Sequence, residues 1–199
     1  ILVITIGIGT FLISTLFFSK NLLLAQASIE RKANSSNMIL LDIQNEQVDQ
    51  VASVITNNSH PLIDNIPIVT MRIHSIGERT VNQIREDSTS TIRGWVLNHE
   101  FRVTYRDSLM PSETLQLGTF TPQVTNANLV PISVSDNFAE DTKVTIGDKI
   151  TFNVQGVLIN TIVGSIRAVD WGSIQPNFTV LFPRGVLENA PQFRVITTY

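Results

Sequence analysis

The chain changes its hydrophobic period twice, and each period predicts a different kind of element. Ile1 to Ser19 is almost wholly apolar, contains no Asp, Glu, Lys or Arg, and shows no polar face. As a helix it would rise roughly 28 Å at about 1.5 Å per residue, close to the thickness of a bilayer's hydrocarbon core. A secretory signal fits poorly, because no basic stretch leads the run and no small-residue cleavage site follows it. A membrane span is the expectation. Lys20 ends the uncharged run, yet a helical pattern continues through Asn21-Leu22-Leu23-Leu24-Ala25-Gln26 to Glu30-Arg31-Lys32. It predicts a stalk that Asn34-Ser35-Ser36-Asn37 breaks. The chain therefore divides into a span and stalk, 1–33, and a water-facing body, 34–199.

In the body, Met38 to Ile43 is a short apolar run and reads as a buried strand. Asn45 can cap the helix that follows, whose apolar face is Val48, Val51, Ala52 and Ile55. After Pro67 the period becomes two. Val69, Met71 and Ile73 share one face, and Thr70, Arg72 and His74 the other. This is a βαβ unit. Val81, Ile84, Ile92, Trp95 and Val96 suggest a helix broken near Ser88-Thr89-Ser90. Phe101, Val103 and Tyr105 mark a strand, 111–128 reads as loop, and Val130 to Val134 as a short strand. Asp136 to Asp141 predicts one or two helical turns with acid at the favourable end of the dipole. The last third is β: strands at 150–155 and 157–167 around a turn at Gly156, then a face of Phe178, Val180 and Phe182, and a final strand from Phe193 to Tyr199. Strands outnumber helices, and the class is α+β rather than a doubly wound sheet.

Composition narrows the function. The 199 residues carry a net charge of −3, so no basic field exists to hold nucleic acid or grip an anionic membrane surface. One soluble domain of about 165 residues beside the span is the natural count. Without cysteine there is no disulfide, thiolate metal site or cysteine nucleophile. The chain starts at Ile1 and ends inside a strand pattern, which reads as a segment of a longer protein.

Known chemical motifs are missing. Gly7-Ile8-Gly9 lacks the third Gly and the preceding strand of a dinucleotide loop, and no phosphate-binding loop occurs. No Gly-x-Ser-x-Gly elbow is present. His60, His74 and His99 lie far apart, and His99-Glu100 lacks the second His of a zinc-protease helix. Glu86-Asp87 and Glu140-Asp141 are adjacent pairs whose side chains diverge, so neither is an acid–base dyad. Asp136, Glu140, Asp141 and Asp148 lack the spacing of a calcium loop. Arg106-Asp107 reads as a strand-end salt bridge and Asp170-Trp171 as a half-buried indole. No catalytic, cofactor-binding or metal residue is assigned, and no enzymatic activity is expected of the chain.

Several stretches together resemble a known family. They are Gly7-Ile8-Gly9-Thr10-Phe11-Leu12 with Asn21, Leu41-Asp42-Ile43-Gln44, Pro67-Ile68-Val69-Thr70-Met71-Arg72, and Glu100 to Asp107. Val144-Thr145-Ile146-Gly147-Asp148 follows, then Ser165-Ile166-Arg167-Ala168-Val169-Asp170-Trp171, Pro176-Asn177-Phe178, and Phe182 to Glu188. In order, these resemble the FtsX/MacB-like permeases of ABC transporters, in their large-permease branch. The resemblance implies a bacterial inner-membrane subunit whose periplasmic domain has a ferredoxin-like βαββαβ part and a second β-rich part. It implies a separate cytoplasmic ABC ATPase as partner, a periplasmic partner protein, and lipid-like or hydrophobic substrates. It also orients the body toward the periplasm, which the charges after the span leave open. The competing classes are an anchored periplasmic binding module without transport, and an anchored hydrolase whose site assembles in space.

Overall fold

The computed structural model of the chain describes residues 2–29, 36–125, 128–173 and 175–199. Helix α1 (Leu2–Ile29) is uninterrupted through Lys20, as the pattern predicts. The expected stalk beyond Ile29 and the 33/34 boundary lie outside the described residues. The body then runs β1 (Met38–Gln44), α2 (Val48–Asn57), β2 (Leu62–Ile76), β3 (Arg79–Thr80), α3 (Val81–Glu86) and α4 (Gly94–Asn98). It continues with β4 (Phe101–Tyr105), β5 (Glu113–Gly118), β6 (Val130–Ser135), α5 (Asp136–Thr142), β7 (Lys149–Val154), β8 (Val157–Val169), β9 (Val180–Phe182) and β10 (Phe193–Thr198).

Six of these strands close on themselves. β2 pairs with β4, β4 with β9, β9 with β6, β6 with β8, β8 with β7, and β7 returns to β2. Closure leaves no edge within the ring. The barrel is filled by Val69, Met71 and Ile73 of β2, Val103 of β4, Ile132 and Val134 of β6, and Phe152 of β7. Phe101 meets Phe138 edge-on at 5.4 Å between centroids, and Phe152 meets Phe182 at 5.9 Å. The hairpin between β7 and β8 turns on Gln155-Gly156, both at positive φ, which Gly156 accepts without strain. Ser135 caps α5 by accepting from the Phe138 N–H, and Thr80 and Gln83 form a reciprocal cap on α3.

Outside the ring, β10 pairs with the first half of β2, and β1 pairs with β10. Both pairings are antiparallel, so β1 and β2 run parallel with the last strand of the chain between them. The predicted βαβ unit is therefore present in split form, with α2 covering one face through Ile55, Val48 and Val51 against Ile43 and Ile196. One βαβ crossover is thus present among the described residues, and the β-rich remainder is the barrel. Long strand β2 serves both parts. Ile66 and Ile68 turn one face into a cluster with Phe178 and Val195, while Val69, Met71 and Ile73 turn the opposite face into the barrel.

Four expectations change. β1 is an edge strand, with Met38, Ile39 and Leu41 exposed and only Ile43 buried. A bulge at Asp42, at φ +58°, swings the strand's end onto α2. Asn45 does not cap α2: it opens a 3-10 turn, Asn45–Gln47, which Gln44 and Gln47 cap reciprocally. The stretch read as loop contains β5, whose pairing with β8 brings Gly118 so close that a Cβ would sit 2.2 Å from the Gly164 carbonyl oxygen. Phe178 is buried but precedes β9.

Candidate functional site

Two features of the described residues present apolar chemistry outward. The first is α1. From Leu2 to Leu24 its large apolar side chains are 56–81% exposed, on every side of the helix. Leaving them in water would forgo on the order of 20–40 kcal/mol at about 1.5–3 kcal/mol per side chain. A bilayer removes that cost. The hydroxyls of Thr10 and Thr15 donate back to the carbonyls of Ile6 (3.0 Å) and Phe11 (2.7 Å), so neither needs water or a neighbour in lipid.

The second is a groove of about 350 Å³ between the split βαβ sheet and the barrel wall. Its floor comes from Leu41, Ile68 and Val195, one from each strand of the small sheet. Val195 faces opposite to Ile196, which packs on α2, so this is the sheet face that α2 leaves free. Phe101 and Arg102 at the start of β4, with His99 and Glu100 before them, close one end. The other wall is the loop after β8, carrying Trp171, Pro176, Asn177 and Phe178. Leu41 and Trp171 are 59% and 45% exposed, so the groove is open to solvent.

A buried ionic cluster fixes that loop. β6 and β8 pair in register through Ile132↔Val163, then resume at Ser133↔Ser165, which leaves Gly164 unpaired. The bulge turns Ile166 into the core and Arg167 to the outer face beside Ser133. There Arg167 Nε donates to Glu113 Oε1 (3.2 Å), Nη1 to the Ser133 carbonyl (2.7 Å), and Nη2 to the Phe178 carbonyl. Arg106 donates to both oxygens of the same carboxylate, and the Met110 N–H adds a bond of 3.1 Å. Side chains of Arg167 and Glu113 are 0% and 1% exposed. Burial pushes the Arg167 guanidinium below its ordinary value, and the Glu113 charge opposes that shift. Next to it, Asn177 donates to the Asp170 carbonyl (2.8 Å) and accepts from the Ser112 hydroxyl (3.0 Å). Trp171 and Phe178 are thus held from both sides of the loop.

The groove's rim is charged unevenly. Glu100 pairs with Arg72 at 3.6 Å. The Arg102 guanidinium lies over the Phe193 ring, 5.6 Å from its centroid, and has no ion-pair partner among the described residues.

The titratable residues singled out in the sequence are dispersed. His60 Nδ1 lies 2.8 Å from the Tyr199 carbonyl oxygen, His74 is exposed on β2, and His99 stacks edge-on against Phe101. Asp141 pairs with Arg93 (2.8 Å) and accepts from Trp95 Nε1 (3.1 Å). Asp148 accepts from the Thr145 N–H at 2.7 Å. Among the described residues no three His, Asp or Glu side chains gather as a metal site. Arg106 and Asp107 do not pair with each other: Arg106 goes to Glu113 and Asp107 to Arg184. The groove escaped the sequence reading because its residues come from five separate segments. Its one local signal was the run Arg167 to Trp171 followed by Pro176-Asn177-Phe178.

No family model matches the chain. It is similar to the uncharacterized ABC transporter permease YbbP of Escherichia coli (strain K12), 25% identical over 158 residues. The match covers 79% of this chain and 18% of that protein, so the chain spans less than a fifth of the relative's length.

Proposed function

We propose, from the premise that the chain is a relative of the ABC transporter permeases, that it is a permease segment in which α1 crosses the inner membrane and the body stands in the periplasm. Its full ferredoxin-like and MacB-type assignment, with a body starting at residue 34, belongs to the same reading. A separate cytoplasmic ATPase supplies the energy, and a periplasmic protein receives the cargo. Hydrolysis moves the membrane helices, α1 carries the motion outward as a lever, and the substrate is a lipid-like or hydrophobic molecule leaving the membrane. The chain itself performs no chemical step.

The observation that carries this reading is the similarity to a permease over about four-fifths of the chain, in a polypeptide that also holds a helix long and apolar enough to cross a membrane. Two features support it. α1 has no break from Leu2 to Ile29, as a lever requires. The Asn37 N–H donates to the Thr198 carbonyl at 3.1 Å, so the two ends of the body lie side by side. A body so built fits between membrane segments without distortion.

Leu23→Pro in the intact permease, reconstituted with its ATPase, tests the lever. Proline inside a helix removes a hydrogen bond and costs about 3 kcal/mol or more. Transport should fall while ATP hydrolysis continues and the body keeps its circular dichroism. Transport at the unaltered rate would sink the lever.

A further inference from the structure

We infer that the groove beside Trp171 is a binding site for a single-chain amphiphile with an anionic head. The tail lies along Leu41, Ile68, Phe178 and Val195, and the head meets Arg102. Three observations converge on this chemistry. The volume, about 350 Å³, falls at the small end of the range of roughly 300–1,000 Å³ typical of ligand sites, which suits a single acyl chain. The walls that meet the tail are aliphatic or aromatic, and the buried cluster around Glu113 holds one of them in place before any ligand arrives. The rim carries a guanidinium with no ion-pair partner among the described residues, already positioned over Phe193, while the nearby Glu100 carboxylate is engaged by Arg72. A planar guanidinium takes a carboxylate or a phosphate in two parallel hydrogen bonds, which an ammonium head cannot offer.

Place favours the same ligand. Ile29 of α1 and Met38 of β1 bracket eight residues, which span at most about 32 Å even when extended. That tether keeps the groove within a few tens of ångströms of α1, on the side where α1 ends. The inference deepens the transport reading and rests on it for where the ligand goes. Binding is read without ATP or turnover, so its failure leaves the lever test standing.

The test uses the full chain in discs of neutral phosphatidylcholine, with Trp95→Phe so that Trp171 is the sole indole. Dodecanoate, dodecyl phosphate and dodecyltrimethylammonium are titrated below their micelle concentrations, and the signal of empty discs is subtracted. Both anions should shift the Trp171 emission saturably to the blue, at least tenfold tighter than the cation. Arg102→Gln should erase that preference, and Leu41→Asp should abolish saturation. Both residues are exposed, and circular dichroism checks that each variant keeps its fold. Equal affinity for anion and cation, or a preference that survives Arg102→Gln, overturns the inference. So does a shift produced by phosphatidylglycerol discs alone with no response to the dodecyl probes, which would assign the groove to bilayer lipid.

Discussion

Arg106 and Asp107 are neighbours that end in opposite surroundings. Arg106 shares the Glu113 carboxylate with Arg167, and the three side chains are 14%, 1% and 0% exposed. Asp107 pairs with Arg184 at 3.1 Å, and those side chains are 52% and 56% exposed. Both contacts hold the end of β4 through a guanidinium and a carboxylate, so the atoms are similar. What differs is water. At the surface, solvent screens the attraction, and such a pair is worth about 0–1 kcal/mol. In the cluster, desolvation has already been incurred by all three groups, so each depends on the others and on the carbonyls of Ser133 and Phe178. The buried contact therefore decides where the groove's loop sits, and the surface contact decides little.

Glu113→Gln should break the comparison most forcefully. It leaves two guanidiniums facing each other without a counter-charge, and removing one partner of a buried ion pair costs about 3–5 kcal/mol. For a domain of this size that lowers Tm by roughly 6–20 °C. Circular dichroism melts of the full chain in mild detergent measure it. The Trp171 emission should move to the red at the same time, because the loop loses its anchor at Phe178. A Tm loss without any change at Trp171 would separate stability from the groove. A loss under about 1 kcal/mol would put the cluster on a level with the surface pair.

The sequence exposes one half of this contrast far better than the other. Where a segment meets a single environment, its period shows it: α1 has no polar face, Val69-Met71-Ile73 alternate into the barrel, and Val48, Val51, Ala52 and Ile55 mark one stripe of α2. These could be read because burial acts on neighbours along the chain. β5 could not, since Glu113 is its only buried residue and its alternating leucines, Leu115 and Leu117, are exposed. β1 misled in the other direction, its apolar run implying burial where the bulge at Asp42 leaves Leu41 in the open groove. Barrel closure and the place of β10 between β1 and β2 are long-range pairings with no local trace. The cluster lies deepest: Glu113 and Arg167 are 54 positions apart, and only the unpaired Gly164 turns Arg167 toward its partner. The long apolar helix was thus legible, and the groove was not.

Asp107→Ala provides the matched surface measurement. The Arg184 guanidinium it releases is already solvated, so the expected loss is below about 1 kcal/mol, and the Trp171 emission should not move. The two variants together, melted under the same conditions, give the ratio of buried to exposed ion pairing within one strand end. A loss for Asp107→Ala equal to that of Glu113→Gln would refute the claim that burial sets the difference.

The smallest effect belongs to Asp87, which separates hydrogen bonding from charge pairing at the surface. Its carboxyl is held below its ordinary value of 3.8, chiefly by the hydroxyl and N–H of Thr89, with a lesser contribution from Arg79 at 2.8 Å. A carboxyl whose pKa is depressed on folding stabilises the fold at pH values above its unfolded pKa. That contribution is lost as the pH falls through the folded value. Asp87→Asn removes the charge but keeps an acceptor oxygen for Thr89. The variant should therefore melt slightly below the parent at pH 7, and the gap should close as the pH falls through and below 3.8. High salt should narrow the gap only a little at pH 7, because hydroxyl and amide donors, unlike Arg79, carry no net charge to screen. A gap that vanishes in salt would instead make Arg79 the principal partner, and Asp87 would then behave as a weaker copy of Asp107.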